Sequence, residues 1–369
     1  MKIKKSFIQL LLLILLSFFI GCDVIEDKIR LENQVLDLSG KWKFSIGDDS
    51  LWASPDYNDW GWEEIKVPSS WENEGFHGYN GYAWYRKWFE LPAEYSNSNL
   101  FLHLGFIDDV DETYLNGNLI GLSGGFPPYF LTAFNASRKY FLPKQFLKDG
   151  KNLIAVRVYD SQLEGGIING KIGIYKSGGK GETLMDLIPD VNLPKMWKFN
   201  KGDIPEWKEE EYNDSGWHNI FVPAFWETQG YKGYNGFAWY RTKFYLPEEY
   251  KSNKFVLMLG KIDDIDQTYV NGKLIGSIGD WGFDDKPIHF NENSEWETFR
   301  GYFIPDNILK PGEYNTVAVR VYDGFLDGGI YEGPIGLITQ EKYREFWKAR
   351  KEFSQRLDNY LDTLLNVPQ

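Results

Sequence analysis

Asp109 and Asp111, with one residue between them, recur as Asp264 and Asp266. On an extended strand such a pair shares one face about 6.5 to 7 Å apart. That is close enough for two carboxylates to act as acid and base, to accept hydrogen bonds from sugar hydroxyls, or to hold a hard cation such as a structural calcium. The same carboxylates can instead pin the sheets internally by pairing with Arg86, Arg157, Arg241 and Arg320. A second constellation is aromatic: Trp71, Phe76, Tyr79 and Trp84 cluster around Gly75, Gly78 and Gly81, with the amide of Asn80 among them. Its copy holds Trp226, Tyr234, Asn235 and Trp239. Rings on a glycine-shaped loop, flanked by amide donors, can stack on sugar faces while the edges hydrogen-bond. Core packing is the competing use, most strongly for Trp84, which precedes a strand. Trp71 and Tyr79 are expected at the surface.

Other chemistries are excluded by composition. The single cysteine, Cys22, allows no internal disulfide and no thiolate cluster, and His77, His103, His218 and His289 show no ligand spacing. A formal charge of −13 repels a phosphate backbone, so nucleic acid is not an expected partner. Aromatic residues make up 17% of the chain, a load that suits pleated, β-rich packing and equally supplies stacking faces.

The elements that must position these residues occur twice. Tyr57-Asn58-Asp59, Val67-Pro68, Trp71-Glu72, Gly78 to Gly81, Ala83 to Arg86 and Ile107 to Asp109 all return 155 residues later. Ala155 to Asp160 returns as Ala318 to Asp323, an offset of 163, so the second copy has gained eight residues between Gly276 and Ala318 and appears there with Trp281-Gly282-Phe283-Asp284-Asp285. Each unit is long enough to close its own core, which marks a duplicated domain and not a solenoid. Ile154, Val156 and Val158 alternate with Ala155, Arg157 and Tyr159, the period of a half-buried strand, and Asn116-Gly117 and Asn271-Gly272 are hairpin turns. Short strands and glycine-rich connections predict an all-β protein, two antiparallel sandwiches over 37–176 and 194–339 joined by a linker over 177–193. Over 340–369, Tyr343, Phe346, Trp347, Phe353, Leu357, Tyr360, Leu361 and Leu364 recur at helical steps, predicting an amphipathic helix that packs across the sandwiches or contacts a partner chain.

Two resemblances add to this. Lys2, Lys4 and Lys5, the apolar run from Phe7 to Ile20, and Gly21-Cys22 resemble a bacterial lipoprotein signal. The resemblance implies removal of residues 1–21, lipidation of Cys22, a tether over 22–36, and anchorage in the cell envelope. Cleavage removes three lysines and no acid, taking the charge from −13 to −16, so the membrane would be held by acyl chains and not by headgroup attraction. The string Val67-Pro-Ser-Ser-Trp71-Glu-Asn-Glu-Gly75, with Tyr79 to Arg86 and Leu91-Pro92, resembles the jelly-roll sugar-binding domain of family 2 glycoside hydrolases. Ile107 to Gly117, and Arg157 to Asp160 followed by Gly165-Gly166-Ile167, are similar to the jelly-roll domain of sialate O-acetylesterase-like proteins. Both copies carry the pattern, which implies tandem galactose-binding-like jelly rolls.

The catalytic parts of those families are not matched by this pattern. No alternating strand and helix series is available for a barrel bearing two carboxylates; Asn73-Glu74 falls in a sandwich loop, and Gly47-Asp48-Asp49-Ser50 lacks an Asp-x-x-His partner. The resulting expectation is a membrane-anchored, non-catalytic glycan-binding protein without a cofactor, whose carbohydrate contacts are Trp71, Tyr79, Asn80, Trp84, Asp109 and Asp111, with Trp226, Tyr234, Asn235, Trp239, Asp264 and Asp266 in the second copy. An accessory or divergent member of a glycan hydrolase or esterase system, and a structural surface protein docking through its helix, are the alternatives.

Overall fold

The computed structural model describes residues 33–96, 98–176, 187–282, 287 and 295–365, with the backbone alone at 33, 353 and 356–365. Cys22 and the expected signal segment lie outside the described residues, as do the loop positions Phe283, Asp284 and Asp285. Ten strands build the first domain: β1 (Asn33–Asp37), β2 (Gly40–Ile46), β3 (Glu63–Val67), β4 (Gly81–Glu90), β5 (Leu100–Asp108), β6 (Val110–Leu115), β7 (Asn118–Ser123), β8 (Ser137–Phe141), β9 (Lys151–Asp160) and β10 (Gly166–Lys176). The second domain has β11 (Val191–Asn192), β12 (Met196–Lys201), β13 (His218–Phe221), β14 (Gly236–Leu246), β15 (Phe255–Asp263), β16 (Ile265–Val270), β17 (Lys273–Ile278), β18 (Phe299–Phe303), β19 (Glu313–Asp323) and β20 (Gly329–Thr339).

Each domain pairs a four-stranded sheet, β1-β10-β5-β8 or β11-β20-β15-β18, with a six-stranded one, β3-β2-β4-β9-β6-β7 or β13-β12-β14-β19-β16-β17. Adding ten to every label of the first domain gives the second. All ladders are antiparallel, as expected of tandem jelly-roll sandwiches. Ile154, Val156 and Val158 of β9 face the sandwich core, where they meet Leu102, Leu104 and Ile107 of the opposite sheet. The Asn-Gly turns have positive φ at both residues, 50° and 84° at Asn116-Gly117, which asparagine and glycine tolerate.

Several boundaries differ from the expected ones. The first sheet begins at Asn33, inside the expected tether, because Asn33 to Asp37 pairs with the end of β10; two amides open that strand and hide it from a hydrophobic pattern. β11 likewise sits inside the expected linker and pairs with Gly336 and Leu337. Trp281 does not belong to an insertion: it occupies the place of Phe126, and the extra residues follow it. Helix α1 (Gln340–Leu365) lays Phe346, Tyr343 and Trp347 on Leu187, Val256, Met258 and Ile338, covering the outer face of β15 and β20. Among the described residues, no helix is long and apolar enough to cross a membrane.

Candidate functional site

The glycine-rich rim is a lock and not a display. Trp71 and Trp226 are wholly buried, each against the core phenylalanine of its domain, Phe44 or Phe199. The reason lies in the turn after β9: a Cβ on Gly165 would stand 1.9 Å from the Trp71 ring, and one on Gly328 would stand 2.2 Å from the Trp226 ring. Glycine there opens the slot that the indole fills. Trp84 and Trp239 are buried as well, on the opposite face of the six-stranded sheet, roofed by Trp52 and Trp207. The expectation that these four tryptophans contact sugar is therefore corrected. Tyr79 and Tyr234 are half-buried, with hydroxyls donating to the carbonyls of Tyr82 at 2.7 Å and Phe237 at 2.5 Å, while Asn80 and Asn235 are exposed.

The aspartate pairs divide. Asp111 and Asp266 point into the sandwiches with no exposure, where Asp111 accepts from Arg138 Nε at 2.8 Å, Thr113 at 2.8 Å and the Tyr140 hydroxyl, and Asp266 accepts from Arg300, Thr268 and Tyr302 in the same way. Burial raises the pKa of Asp266, and the charge of Arg300 opposes it. These are internal pins, as one alternative anticipated, but the arginines differ from those expected. Arg86 and Arg241 instead hold Asp59 and Asp214 of the Tyr-Asn-Asp motifs, and Arg157 and Arg320 hold Asp48 and Asp203. Arg138 and Arg300 were hidden in a segment where the two copies lose their common register.

Asp109 and Asp264 lie between strands, not on one, so neither shares a strand face with Asp111 or Asp266. Each belongs to a carboxylate cluster at the sandwich rim: Asp108, Asp109 and Asp160 in the first domain, and Asp263, Asp264 and Asp323 in the second, with one oxygen from each residue within 4.8 Å of the others. Asp109 accepts from Thr132 and from Ser161 N and Oγ at 3.0 and 2.8 Å; burial opposes its ionisation, but these donors hold its carboxyl below the ordinary range. Burial, then the neighbouring Asp109, pushes Asp108 up to about 7, and burial pushes Asp160 up to about 7. Asp263 and Asp323 rise to about 8 and about 6 for the same first cause. In the first cluster, a carboxylate held ionised by its donors beside two that resist ionisation can share protons or neutralise a bound cation.

Between the domains runs a cleft of about 920 Å³, walled by Phe141 and Tyr140 of the first and by Lys195, Met196, Tyr245 and Tyr314 of the second. Tyr245 and Tyr314 face each other across β14 and β19 with ring centroids 5.6 Å apart, and are 48% and 66% exposed. Their counterparts in the first domain are Glu90 and Lys151, an ordinary charged cross-strand pair. That exchange is visible in the sequence only once the two copies are aligned position by position. Burial alone lowers Lys195 to about 8, and among the described residues no carboxylate offsets it.

No protein-family profile matches the chain. Over 155 residues, 38% of this chain and 17% of the relative, it is 27% identical to the β-galactosidase BoGH2A of Bacteroides ovatus. Over 143 residues, 35% of this chain and 13% of the relative, it is 26% identical to a β-glucuronidase of Formosa agariphila. The chain thus spans less than a fifth of the length of the curated relatives it matches, and each match is about as long as one sandwich. Among solved structures it is similar to a Bacteroides uniformis β-glucuronidase, with 15% identity, a TM-score of 0.32, and coverage of 82% of this chain and 28% of that one. A β-glycosidase from Bacteroides vulgatus gives 19% identity and a TM-score of 0.32, with 66% and 27% covered.

Proposed function

We infer that this protein binds glycans without cleaving them, that the saccharide lies in the cleft between the two sandwiches, and that lipidated Cys22 holds the molecule in the bacterial envelope. The observation that carries the reading is the tyrosine pair. Two large rings stand exposed on a sheet where the sister domain has Glu90 and Lys151, and they face a concave, mixed polar and apolar space at a domain boundary. Phe141 on the opposite wall and the Lys195 ammonium supply a second apolar surface and a hydrogen-bond donor. The test is a glycan array with the chain beginning at residue 23, beside a Tyr245→Ala, Tyr314→Ala variant. Binding weakened at least tenfold, about 1.4 kcal/mol, with an unchanged melting temperature is expected. Equal binding by the two proteins would remove the cleft from the reading.

Similarity to a β-galactosidase and a β-glucuronidase favours a second reading, an accessory or divergent member of a glycoside hydrolase system. Turnover of a chromogenic galactoside or glucuronide that Asp108→Asn abolishes in a folded protein would establish it. Incorporation of labelled palmitate, lost in Cys22→Ala, tests the anchor.

A further inference from the structure

We propose that each sandwich binds one hard divalent cation, calcium by ligand chemistry, in the carboxylate cluster at its rim. Calcium takes oxygen ligands at about 2.3 to 2.6 Å, so two of them on one ion can stand up to roughly 5 Å apart. The three carboxylate oxygens of Asp108, Asp109 and Asp160 lie within 4.8 Å of one another, as do those of Asp263, Asp264 and Asp323, and thus fit around one sphere. Neither cluster contains the nitrogen or sulfur donors that zinc prefers.

A second observation points to a ligand. Asp160 is completely buried; its Oδ1 accepts from Gln162 N at 3.2 Å, and its Oδ2 has no donor. Asp323 repeats this, with Oδ1 accepting from Phe325 N at 3.1 Å and Oδ2 unpartnered. A buried carboxylate oxygen without a donor is unfavourable, and here it recurs at equivalent positions although the flanking residues, Gln162 and Phe325, have nothing in common. Among the described residues, no arginine or lysine side chain fills the role. Arg138, beside the first cluster, spends its N–H groups on Asp111 and on the carbonyls of Ala133, Ala136 and Asp109. Asp109, fixed by Thr132 and Ser161, gives the first site an already oriented ligand.

The experiment is equilibrium dialysis of the full chain, in detergent, against calcium, with terbium luminescence excited through tryptophan as a second readout. Two ions per chain are expected, one after Asp160→Asn, and none after Asp160→Asn with Asp323→Asn, each in a protein with unchanged near-ultraviolet circular dichroism. Should those variants fail to fold, Asp108→Asn and Asp263→Asn, at partly exposed members of the clusters, replace them with the same expected stoichiometries. No saturable ion on the unaltered chain at millimolar calcium, or two ions retained by either folded double variant, overturns the proposal. The Tyr245→Ala, Tyr314→Ala variant keeps two ions, so this outcome is independent of where the glycan binds.

Discussion

Replacing Arg138 by methionine should be among the most damaging single changes in the first domain. The guanidinium is wholly buried and holds four acceptors: Asp111 at 2.8 Å, the carbonyls of Ala133 and Ala136 at 2.5 Å each, and that of Asp109 at 3.0 Å. Removing one partner of a buried ion pair costs about 3 to 5 kcal/mol, because the remaining charge is left without compensation. Each stranded carbonyl would add about 1 kcal/mol or more if it stayed dry. The 133–136 segment is largely exposed and can admit water to its own carbonyls, so the expected loss is about 4 to 5 kcal/mol. Adding Asp111→Asn should recover about half of it, since the amide oxygen still accepts from Thr113 and Tyr140 while the stranded charge is gone. Urea unfolding of the chain beginning at residue 23, followed for both single variants and the double, measures the coupling. A cost below about 1 kcal/mol for Arg138→Met, or a double variant weaker than Arg138→Met alone, would refute the reasoning.

Other expectations rest on separate contacts. Trp226→Ala removes a wholly buried indole and should cost the second domain about 3 to 5 kcal/mol in urea unfolding, while the folded fraction keeps its glycan affinity. Gly165→Ala drives a methyl group into the Trp71 ring and should cost about 1 to 3 kcal/mol or more, whereas Gly61→Ala, which meets no atom within 4 Å, should stay within about 0.5 kcal/mol of the parent. Lys195 binds its proton less tightly folded, at about 8, than unfolded, so its charge costs stability below pH 8 and that cost fades as pH rises toward 10.5. Lys195→Met should therefore melt higher than the parent at pH 7 and at nearly the same temperature at pH 10.5. In the parent, dilute amine-acylating reagent at pH 8 should label Lys195 ahead of the exposed lysines, as read by mass spectrometry.

The strands, the hairpins and the duplication were legible because their signals are local: alternation along β9, positive φ at Asn116-Gly117, and motifs repeated at a fixed offset. The fate of Trp71 was not, since it is decided by Gly165, in a turn that reaches the rim only after β9 has crossed the sheet. Asp111 read correctly as a possible pin, but its arginine sits on β8, paired through space and not by spacing. Asp108 and Asp160 escape a pattern of alternate residues on a strand, which does not describe a connection where two strand ends converge. Tyr245 and Tyr314 became informative only against Glu90 and Lys151, a contrast that similarity between the copies had obscured.

With the first strand starting at Asn33, ten residues separate it from Cys22, and a chain of that length reaches at most about 33 to 36 Å even when pulled straight. A lipid on that cysteine would keep the sandwiches on a short leash, close to the bilayer from which they hang. Any polymer they grip would have to be brought to the membrane, and a longer flexible insert before residue 33 would extend the zone they can sweep.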